Sequence, residues 1–317
     1  EPHSVLATPY SGYYEEAIEV ELESVLPIIY TLDGSVPTED NSTTYEAPIL
    51  LESGSVITIQ ARTVSSSGAL GDVQSFFYAV DTDTTLPILS ITSDPEGLWD
   101  EEDGILTNYS EKGAEWERLT LINYLDYGYS EGTAPSFSVW AGLRVHGDYS
   151  RQFEKRSLRI YMRREYGQSA LVYPIFDDTT VDTFESLVIH AGGEDWQSVP
   201  DREWSILCNQ LAADLAFDLD LAATHSQPVL LYINGEPWGI YYLRERPDAQ
   251  WLASEYGITN SDMIDAAEHT EDRNVVNGSI EDWDALIEYL NDADLTDPDV
   301  FAYAASQVDL ESLMNCY

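Results

Sequence analysis

The sequence predicts two domains, an N-terminal all-β sandwich of immunoglobulin-like type followed by a domain of mixed α+β type. Short alternating runs of hydrophobic residues, separated by turn residues, fill about the first 80 positions. Strand-like segments then continue to about residue 246, and helix-like segments follow them. A chain of 317 residues is long enough to bury two such cores.

The first domain is predicted to span residues 1–82. Its β-rich runs are 18–24 (IEVELES), 28–38 (IIYTLDGSVPT), 56–63 (VITIQART) and 75–80 (SFFYAV). Asp33-Gly34 and Ser67-Gly68 are turn dipeptides between them. Strands at this regular spacing are typical of a small antiparallel sandwich. We expect this segment to fold alone, with a core that borrows nothing from the rest of the chain.

The second domain is predicted to span residues 86–317. Its strand-like segments end with two apolar runs around Asn234-Gly235, which is a strong hairpin signal. A helix is predicted over 202–218. Further helices are predicted to start at Asp248, at Ser279 with Asp282 as a capping box, and at Asp297-Pro298.

A basic stretch lies at residues 144–164 (RVHGDYSRQFEKRSLRIYMRR). It contains half of the 14 lysine and arginine residues of a chain whose net charge is −44. Gly147 suits a positive φ, Ser150 offers a hydroxyl donor, and the alternation after Lys155 predicts a strand over 157–162. A loop of donors that leads into a strand is a plausible phosphate-binding arrangement. The alternative is a patch that neutralises surrounding carboxylates.

Composition excludes several classes of function. A pI of about 4.1 argues against binding to nucleic acid or to anionic membranes. No apolar run reaches the roughly 18 residues of a membrane span. Cys208 and Cys316 form neither a disulfide framework nor a metal cluster. The acidic surface fits high salt or an extracellular setting.

Several motifs of the first domain resemble the chitobiase/hexosaminidase C-terminal type of β-sandwich module. The matching positions are Tyr30 to Ser35, Pro37, Thr38, Tyr45, Pro48, Ile49, Ala61, Arg62 and Gly68. Such modules are mostly spacers or accessory domains of secreted proteins, so the resemblance implies a fold and no activity.

The second domain resembles the CotH family of kinase-like proteins, named after a spore-coat protein. The motifs that carry the resemblance are 86–92 (LPILSIT), 116–118 (WER), 144–147 (RVHG), 150–157 (SRQFEKRS), 166–167 (YG), 192–196 (GGEDW), 232–241 (YINGEPWGIY), 244–248 (RERPD) and 308–309 (VD). The family's members are secreted or surface-associated atypical protein kinases that use ATP and Mg²⁺.

The resemblance implies roles for particular residues. Lys155 would be the phosphate-binding lysine, and Glu245 would be its ion-pair partner. The other residues expected around the nucleotide phosphates are Arg144, Gly147, Ser150, Arg151 and Arg156.

The chain departs from the family pattern in four places. Lys155-Arg156 stands where two lysines are usual, 190–193 (HAGG) where Arg-Asn-Gly-Gly is common, and Arg202-Glu203 near a common Arg-Asp pair. The Asn-x-Asp and Trp-Asp-x-Asp segments, which supply the catalytic and metal-binding aspartates, are missing. Since the sequence also stops inside a helix-like segment, we expect it to be a fragment that does not catalyse alone, and its metal ligands cannot be named.

Two functions remain open at this point. One is a secreted or cell-surface kinase that transfers the γ-phosphate of ATP to a protein substrate. The other is a non-catalytic extracellular scaffold that binds a carbohydrate or a surface partner.

Overall fold

The computed structural model describes residues 4–193, 195, 204–266 and 273–315. They divide into two compact units, the first made of Glu1–Ile175, Asp182–Glu203 and Gln227–Arg244, and the second of Phe176–Val181, Trp204–Ser226 and Glu245–Tyr317. None of the helices in the described part of the chain is both long enough and apolar enough to cross a membrane.

The first unit begins with a β-sandwich, as the sequence predicts. Its strands are β1 Leu6–Thr8, β2 Gly12–Tyr14, β3 Ile18–Glu23, β4 Ile28–Thr31, β5 Thr43–Thr44, β6 Ile49–Leu51, β7 Val56–Thr63 and β8 Gln74–Val80. One sheet has the order β1-β3-β6 and the other β2-β8-β7-β4-β5. The β2–β8 pair is parallel, so the prediction of an antiparallel sandwich is wrong for this pair. Side chains from both sheets, among them Val20, Ile59 and Tyr78, form one buried cluster. This sandwich therefore has a hydrophobic core of its own.

The rest of the first unit is built on a closed sheet. The elements of this region are β9 Ile88–Ser93, α1 Pro95–Trp99, β10 Arg118–Leu125, β11 Phe137–His146, β12 Ser157–Tyr161, β13 Leu171–Val172, β14 Thr183–Phe184, β15 Ser186–His190, β16 Ser226–Ile233 and β17 Glu236–Arg244. The closed sheet runs β10-β11-β12-β15-β17-β16-β9, and β9 pairs again with β10. Its β16–β9 pair is parallel. β13 and β14 form a separate two-stranded sheet.

The predicted Asn-Gly hairpin joins β16 to β17. Asn234 and Gly235 have φ values of 50° and 87°, the left-handed conformations that a two-residue hairpin turn of type I′ requires. The Asn234 amide also pairs with β9, because its Oδ1 accepts from Ser93 N at 2.9 Å and its Nδ2 donates to Ser93 O at 2.8 Å. The Asn234 side chain therefore satisfies the backbone N–H and C=O of Ser93 at the end of β9, the strand that pairs with β16.

The sandwich and the closed sheet share a second buried cluster. Val56, Phe77 and Ala79 of the sandwich pack in it with Ile88 and Leu125. The main core of the sandwich takes no residue from the rest of the chain, but β7 and β8 also present apolar side chains to the closed sheet. The expectation that the sandwich folds alone stays a prediction. The domain boundary near residue 82 stays a prediction.

The two parts of this unit are in close contact at Gly34. A β-carbon at Gly34 would lie 2.5 Å from Ser93 O and would also collide with the Asn234 amide. Gly34 has a φ of 87°, so both its turn and its surroundings favour glycine. The turn of the sandwich motif thus contacts the turn of the hairpin.

Helices dominate the second unit. Its remaining elements are α2 Cys208–Asp218, α3 Ala249–Tyr256, β18 Met263–Ala266, β19 Arg273–Asn277, α4 Glu281–Asp292, α5 Pro298–Ser306 and α6 Leu310–Asn315. Two predicted caps are confirmed. Asp248 Oδ1 accepts from Gln250 N at 3.0 Å, and Asp297 Oδ1 accepts from Asp299 N at 2.9 Å.

Two predicted helix starts are wrong in detail. α2 begins at Cys208 rather than at residue 202, because Ile206 has a left-handed φ of 64° that a helix cannot include. Residues 202 and 203 lie outside the described residues. α4 follows Ile280, and Asp282 makes no cap there, although Ser279 Oγ accepts from Glu281 N at 3.1 Å.

Candidate functional site

Strand register brings Lys155 to one edge of the closed sheet. β12 pairs with β15 through Leu158 opposite Ile189, and β15 pairs with β17 through His190 opposite Tyr242. All three strands are antiparallel to their neighbours, so the start of β12 and the end of β15 lie at the same edge. Lys155 precedes β12 and therefore lies near the loop that follows His190.

Lys155 is a partly buried cation without a counterion in its unit. Its Nζ donates to Ile240 O at 2.6 Å and lies 4.6 Å from the centre of the Tyr241 ring. Among the described residues of this unit, no carboxylate forms an ion pair with Lys155. Burial lowers the pKa of Lys155 to about 8, because removal from water disfavours the charged form. An anionic ligand next to Lys155 would favour its charged form and raise this pKa again.

His190 lies beside this cation. Burial, followed by the positive charges of Arg244 and Lys155, lowers the pKa of His190 to about 4, so the ring is neutral near pH 7. Its Nδ1 accepts from Gly192 N at 3.2 Å, which leaves Nε2 as the protonated nitrogen and a possible donor. Gly192 and Gly193 have φ values of 97° and 61°. Sequence reasoning noted His190 only as a departure from the family pattern.

The predicted phosphate donor Arg151 already donates its hydrogen bonds to the loop around it. Its guanidinium donates to four backbone carbonyl oxygens, at distances from 2.6 to 2.8 Å, namely those of Gly147, Val145, Tyr109 and Glu111. Gly147 has a φ of 103°, as expected, and a β-carbon there would lie 2.5 Å from Ser150 Oγ. Arg151 therefore shapes the loop that precedes Lys155.

Arg156 is held in a similar way. Its Nε donates to Arg151 O at 2.8 Å, and its guanidinium carbon lies 4.5 Å from the centre of the Tyr109 ring. Burial lowers the pKa of Arg156, although the group remains a cation. These contacts restrict the backbone of the segment between Arg151 and Lys155.

Arg144 contacts a buried carboxylate that sequence analysis did not single out. Glu117, whose side chain is 4% exposed, lies 2.6 Å from Arg144 Nη2 and 2.6 Å from Arg163 Nε. Tyr166 also donates to Glu117 at 2.9 Å. Burial would raise the pKa of Glu117, but the hydrogen bonds from Arg163, Tyr166 and Arg144 outweigh it and lower that pKa. Three of the predicted family motifs meet at this carboxylate.

The Tyr161 ring in the same region contacts Arg144 and Arg163 again and one further arginine, Arg159. The guanidinium carbons of Arg144, Arg159 and Arg163 lie 4.5, 4.3 and 5.2 Å from the centre of the Tyr161 ring. Cation–π contacts of this kind add about 0.5–2 kcal/mol each. Arg144, Arg151, Arg156 and Arg163 are therefore bound mainly by protein groups, which leaves Lys155 as the predicted basic residue best placed for a ligand.

Glu245 lies in the second unit among other polar groups. Its Oε2 accepts from His225 N at 2.9 Å and from Trp251 Nε1 at 3.2 Å. Burial and then the negative charge of Glu255 raise the pKa of Glu245 to about 8. Because Lys155 belongs to the first unit, the predicted ion pair between Lys155 and Glu245 stays a prediction.

Three potential metal ligands meet around Glu245. One ligand atom from each of His225, Glu245 and Glu255 lies within 4.8 Å of the others. His225 Nδ1 lies 2.9 Å from Asp178 Oδ1. Sequence reasoning missed His225 and Glu255, because neither residue belongs to a motif with metal-ligand spacing.

Two family models match the chain. The model described as CotH kinase protein matches residues 143–317, and the model described as Fn3 associated matches residues 17–78. A search of curated proteins found no match. The second match supports the β-rich character of the first domain. The resemblance of this domain to the chitobiase-type module stays a prediction.

Proposed function

Because the chain belongs to the CotH kinase protein family, whose model covers more than half of it, we propose that it is the nucleotide-binding part of a protein kinase. The proposed reaction transfers the γ-phosphate of ATP to a protein substrate. The proposed setting is extracellular or at the cell surface, which suits a pI of about 4.1. The observation that carries the proposal is the partly buried Lys155, which has no counterion among the described residues of its unit.

The groups around Lys155 fit a phosphate. The lysine supplies positive charge, the neutral His190 has a nitrogen available as a donor, and Gly192 and Gly193 permit close approach of the backbone. ATP would supply the transferred group, and this chain would bind and orient its phosphates. The same residues do not fit Mg²⁺, which prefers oxygen ligands and above all carboxylates. Any Mg²⁺ would need other ligands.

The predicted arginines would hold the surrounding backbone in place rather than contact the phosphates. Arg151 and Arg156 would hold the loop containing Gly147 and Ser150, so that Lys155 stays at the edge of the closed sheet. Arg144 would stabilise β11 through Glu117 rather than contact phosphate. The assignment of Glu245 as the partner of Lys155 remains part of the proposal, on the strength of the family resemblance alone.

The test compares the only two lysines of the chain. Lys155→Met should weaken ATP binding by about 10- to 100-fold, because a charge-assisted hydrogen bond contributes about 1.5–3 kcal/mol. Lys112→Met is the matched control, since Lys112 is exposed and pairs with Asp148 at the surface. Binding is measured by calorimetry with ATP and Mg²⁺. In a form of the protein that transfers phosphate, Lys155→Met should lower the rate by orders of magnitude.

Equal ATP affinity in the two variants would contradict the proposal, as would the absence of ATP binding to the unmodified chain. Arg159→Met provides a further comparison. If the basic stretch only balances charge, replacing Lys155 should have no larger effect than replacing Arg159.

A non-catalytic scaffold is the second candidate function. It is favoured by the extent to which the arginines of the basic stretch already contact Glu117, Tyr161 and backbone carbonyls. These contacts account for most of the stretch without any ligand. The ATP titration separates the two functions, because a scaffold of this kind has no need of a nucleotide.

A further inference from the structure

The second unit contains a cluster of three side chains, of which the proposed kinase reaction would use only Glu245, as the partner of Lys155. We propose that His225, Glu245 and Glu255 bind a divalent transition-metal ion such as Zn²⁺. This inference does not depend on phosphoryl transfer, and it assigns Glu245 to the metal in place of Lys155, which belongs to the first unit.

The donor set suits such an ion. One imidazole nitrogen and two carboxylates are ligands that Zn²⁺ accepts, whereas Mg²⁺ and Ca²⁺ prefer oxygen alone. The three ligand atoms lie within 4.8 Å of one another. Ligands of a tetrahedral Zn²⁺ site are about 3.4 Å apart, so a small contraction would complete the site and leave a fourth position for water.

Burial separates this cluster from the acidic surface of the protein. Glu245 is 3% exposed, and the side chains of His225 and Glu255 are 10% and 13% exposed. The His225 ring is also held in place by stacking on Phe217, with ring centres 4.6 Å apart. Groups that are removed from water in this way are costly unless something compensates their charge or polarity.

The His225 ring provides the second observation. Its Nδ1 is buried and makes no hydrogen bond of good geometry, although Asp178 Oδ1 lies only 2.9 Å away. Its Nε2 faces Glu255 Oε2 at 3.9 Å. If Nε2 binds the metal, Nδ1 carries the proton and a small rotation of the exposed Asp178 carboxylate completes the hydrogen bond. A carboxylate behind the histidine is the usual support of a metal-binding imidazole.

The two glutamates have supports of the same kind. Trp251 Nε1 donates to Glu245 Oε2 at 3.2 Å, and Thr179 Oγ1 donates to Glu255 Oε1 at 3.0 Å. Each of the three ligands therefore has a neighbour that restricts its orientation, which distinguishes this cluster from carboxylates that meet by chance on an acidic surface.

A proton shared by Glu245 and Glu255 is the competing explanation. It would relieve the repulsion between two neighbouring carboxylates without any metal. It would involve only the two glutamates, whereas a metal would also use His225 Nε2, which faces Glu255 Oε2 at 3.9 Å, and this is why we favour the metal. The experiment below decides between the two.

The test uses Co²⁺ and Zn²⁺ as probes on the whole chain after removal of metals by chelation. Molar NaCl and excess Mg²⁺ suppress diffuse binding to a protein of net charge −44. We expect one Co²⁺ per chain, with visible absorption typical of nitrogen and oxygen ligands, and its displacement by Zn²⁺. Glu255→Gln and His225→Gln should each weaken binding by more than about tenfold. Glu288→Gln, on the exposed surface of α4, is the matched control and should leave binding unchanged.

Several results would overturn the proposal. If the unmodified chain binds no Co²⁺ under these conditions, the cluster is not a metal site. Equal affinity in the Glu255→Gln and Glu288→Gln variants would also overturn it. If His225→Gln does not fold, Glu255→Gln still decides, because it changes a partly accessible side chain without altering its shape.

Discussion

At the scale of single residues, Glu117 accounts for two arginines of the basic stretch without any ligand. It binds Arg144 and Arg163 and accepts a hydrogen bond from Tyr166, while its side chain is almost fully buried. A buried carboxylate of this kind is stable only when its partners are present. The arginines of the stretch and Glu117 therefore depend on one another, although they lie 27 and 46 residues apart in the sequence.

We expect Glu117→Gln to reduce the free energy of unfolding by about 3 kcal/mol at pH 7, because it leaves two arginines without their anion. Since the folded-state pKa of Glu117 is lowered, the native ion pairs contribute above the unfolded pKa of about 4.3 and are lost as pH falls through the folded value. The difference between the two proteins should therefore shrink on acidification. Urea unfolding at pH 7 and at lower pH checks both points.

Glu115→Gln is the control for this experiment. Glu115 is exposed, so its replacement should change stability by less than about 0.5 kcal/mol. A Glu117→Gln variant as stable as this control would show that the pair contributes no more than a surface ion pair.

At the scale of elements, the β16–β17 hairpin controls how the sheet closes. Asn234 combines a left-handed backbone with two hydrogen bonds to Ser93, at the end of β9. β9 and β16 form the parallel pair in the closed sheet. The turn therefore anchors the two strands where they meet.

We expect Asn234→Ala to destabilise the protein by about 2–3 kcal/mol, because it adds backbone strain and leaves Ser93 with fewer hydrogen bonds. Asn234→Gly keeps the permissive backbone and loses only the side-chain bonds, so it should fall between Asn234→Ala and the unmodified protein. Thermal and urea unfolding of the three proteins give the order. Equal stability of the two variants would show that the backbone term is negligible.

The elements also show what sequence can predict. Four of the eight sandwich strands (β3, β4, β7 and β8), β12 and the Asn-Gly hairpin were predicted correctly, because alternation and turn chemistry depend on neighbouring residues. The partners of Arg151 were not, since one of them, Glu111, lies 40 residues away. The start of α2 was missed because the left-handed Ile206 interrupts a segment with the right periodicity.

The residues of the candidate sites also differ in whether the sequence alone could predict them. Lys155 stood out because it lies in a stretch that contains half of the lysines and arginines of a very acidic chain and matches a family motif. His225 and Glu255 did not, because their proximity depends on how distant segments fold around Glu245. Local pattern therefore predicts which residues are unusual, whereas only tertiary structure shows which of them meet.

At the scale of the whole molecule, negative charge is the dominant feature. Few of the carboxylates that give the net charge of −44 can have basic partners, because the chain has only 14 lysines and arginines. Many of those basic residues already contact Glu117, the Tyr161 ring or backbone carbonyls. Self-repulsion among the remaining carboxylates should oppose the compact state.

We expect the melting temperature to rise by several degrees between low salt and molar NaCl, because salt screens this repulsion. Differential scanning calorimetry at a series of NaCl concentrations measures the change, and an equal osmolarity of sucrose serves as the uncharged control. A melting temperature that does not respond to NaCl beyond the sucrose control would show that the repulsion is already relieved in the fold.

The contact of Gly34 with Asn234 and Ser93 has a consequence for how such a chain can evolve. Two domains can be recombined independently when nothing but a linker joins them. Here the two turns fit each other so closely that a side chain on the first would displace the second. A transplanted module would have to bring a glycine at this position, or the recipient would have to change its hairpin at the same time. Recombination at this boundary is therefore constrained by a single missing β-carbon.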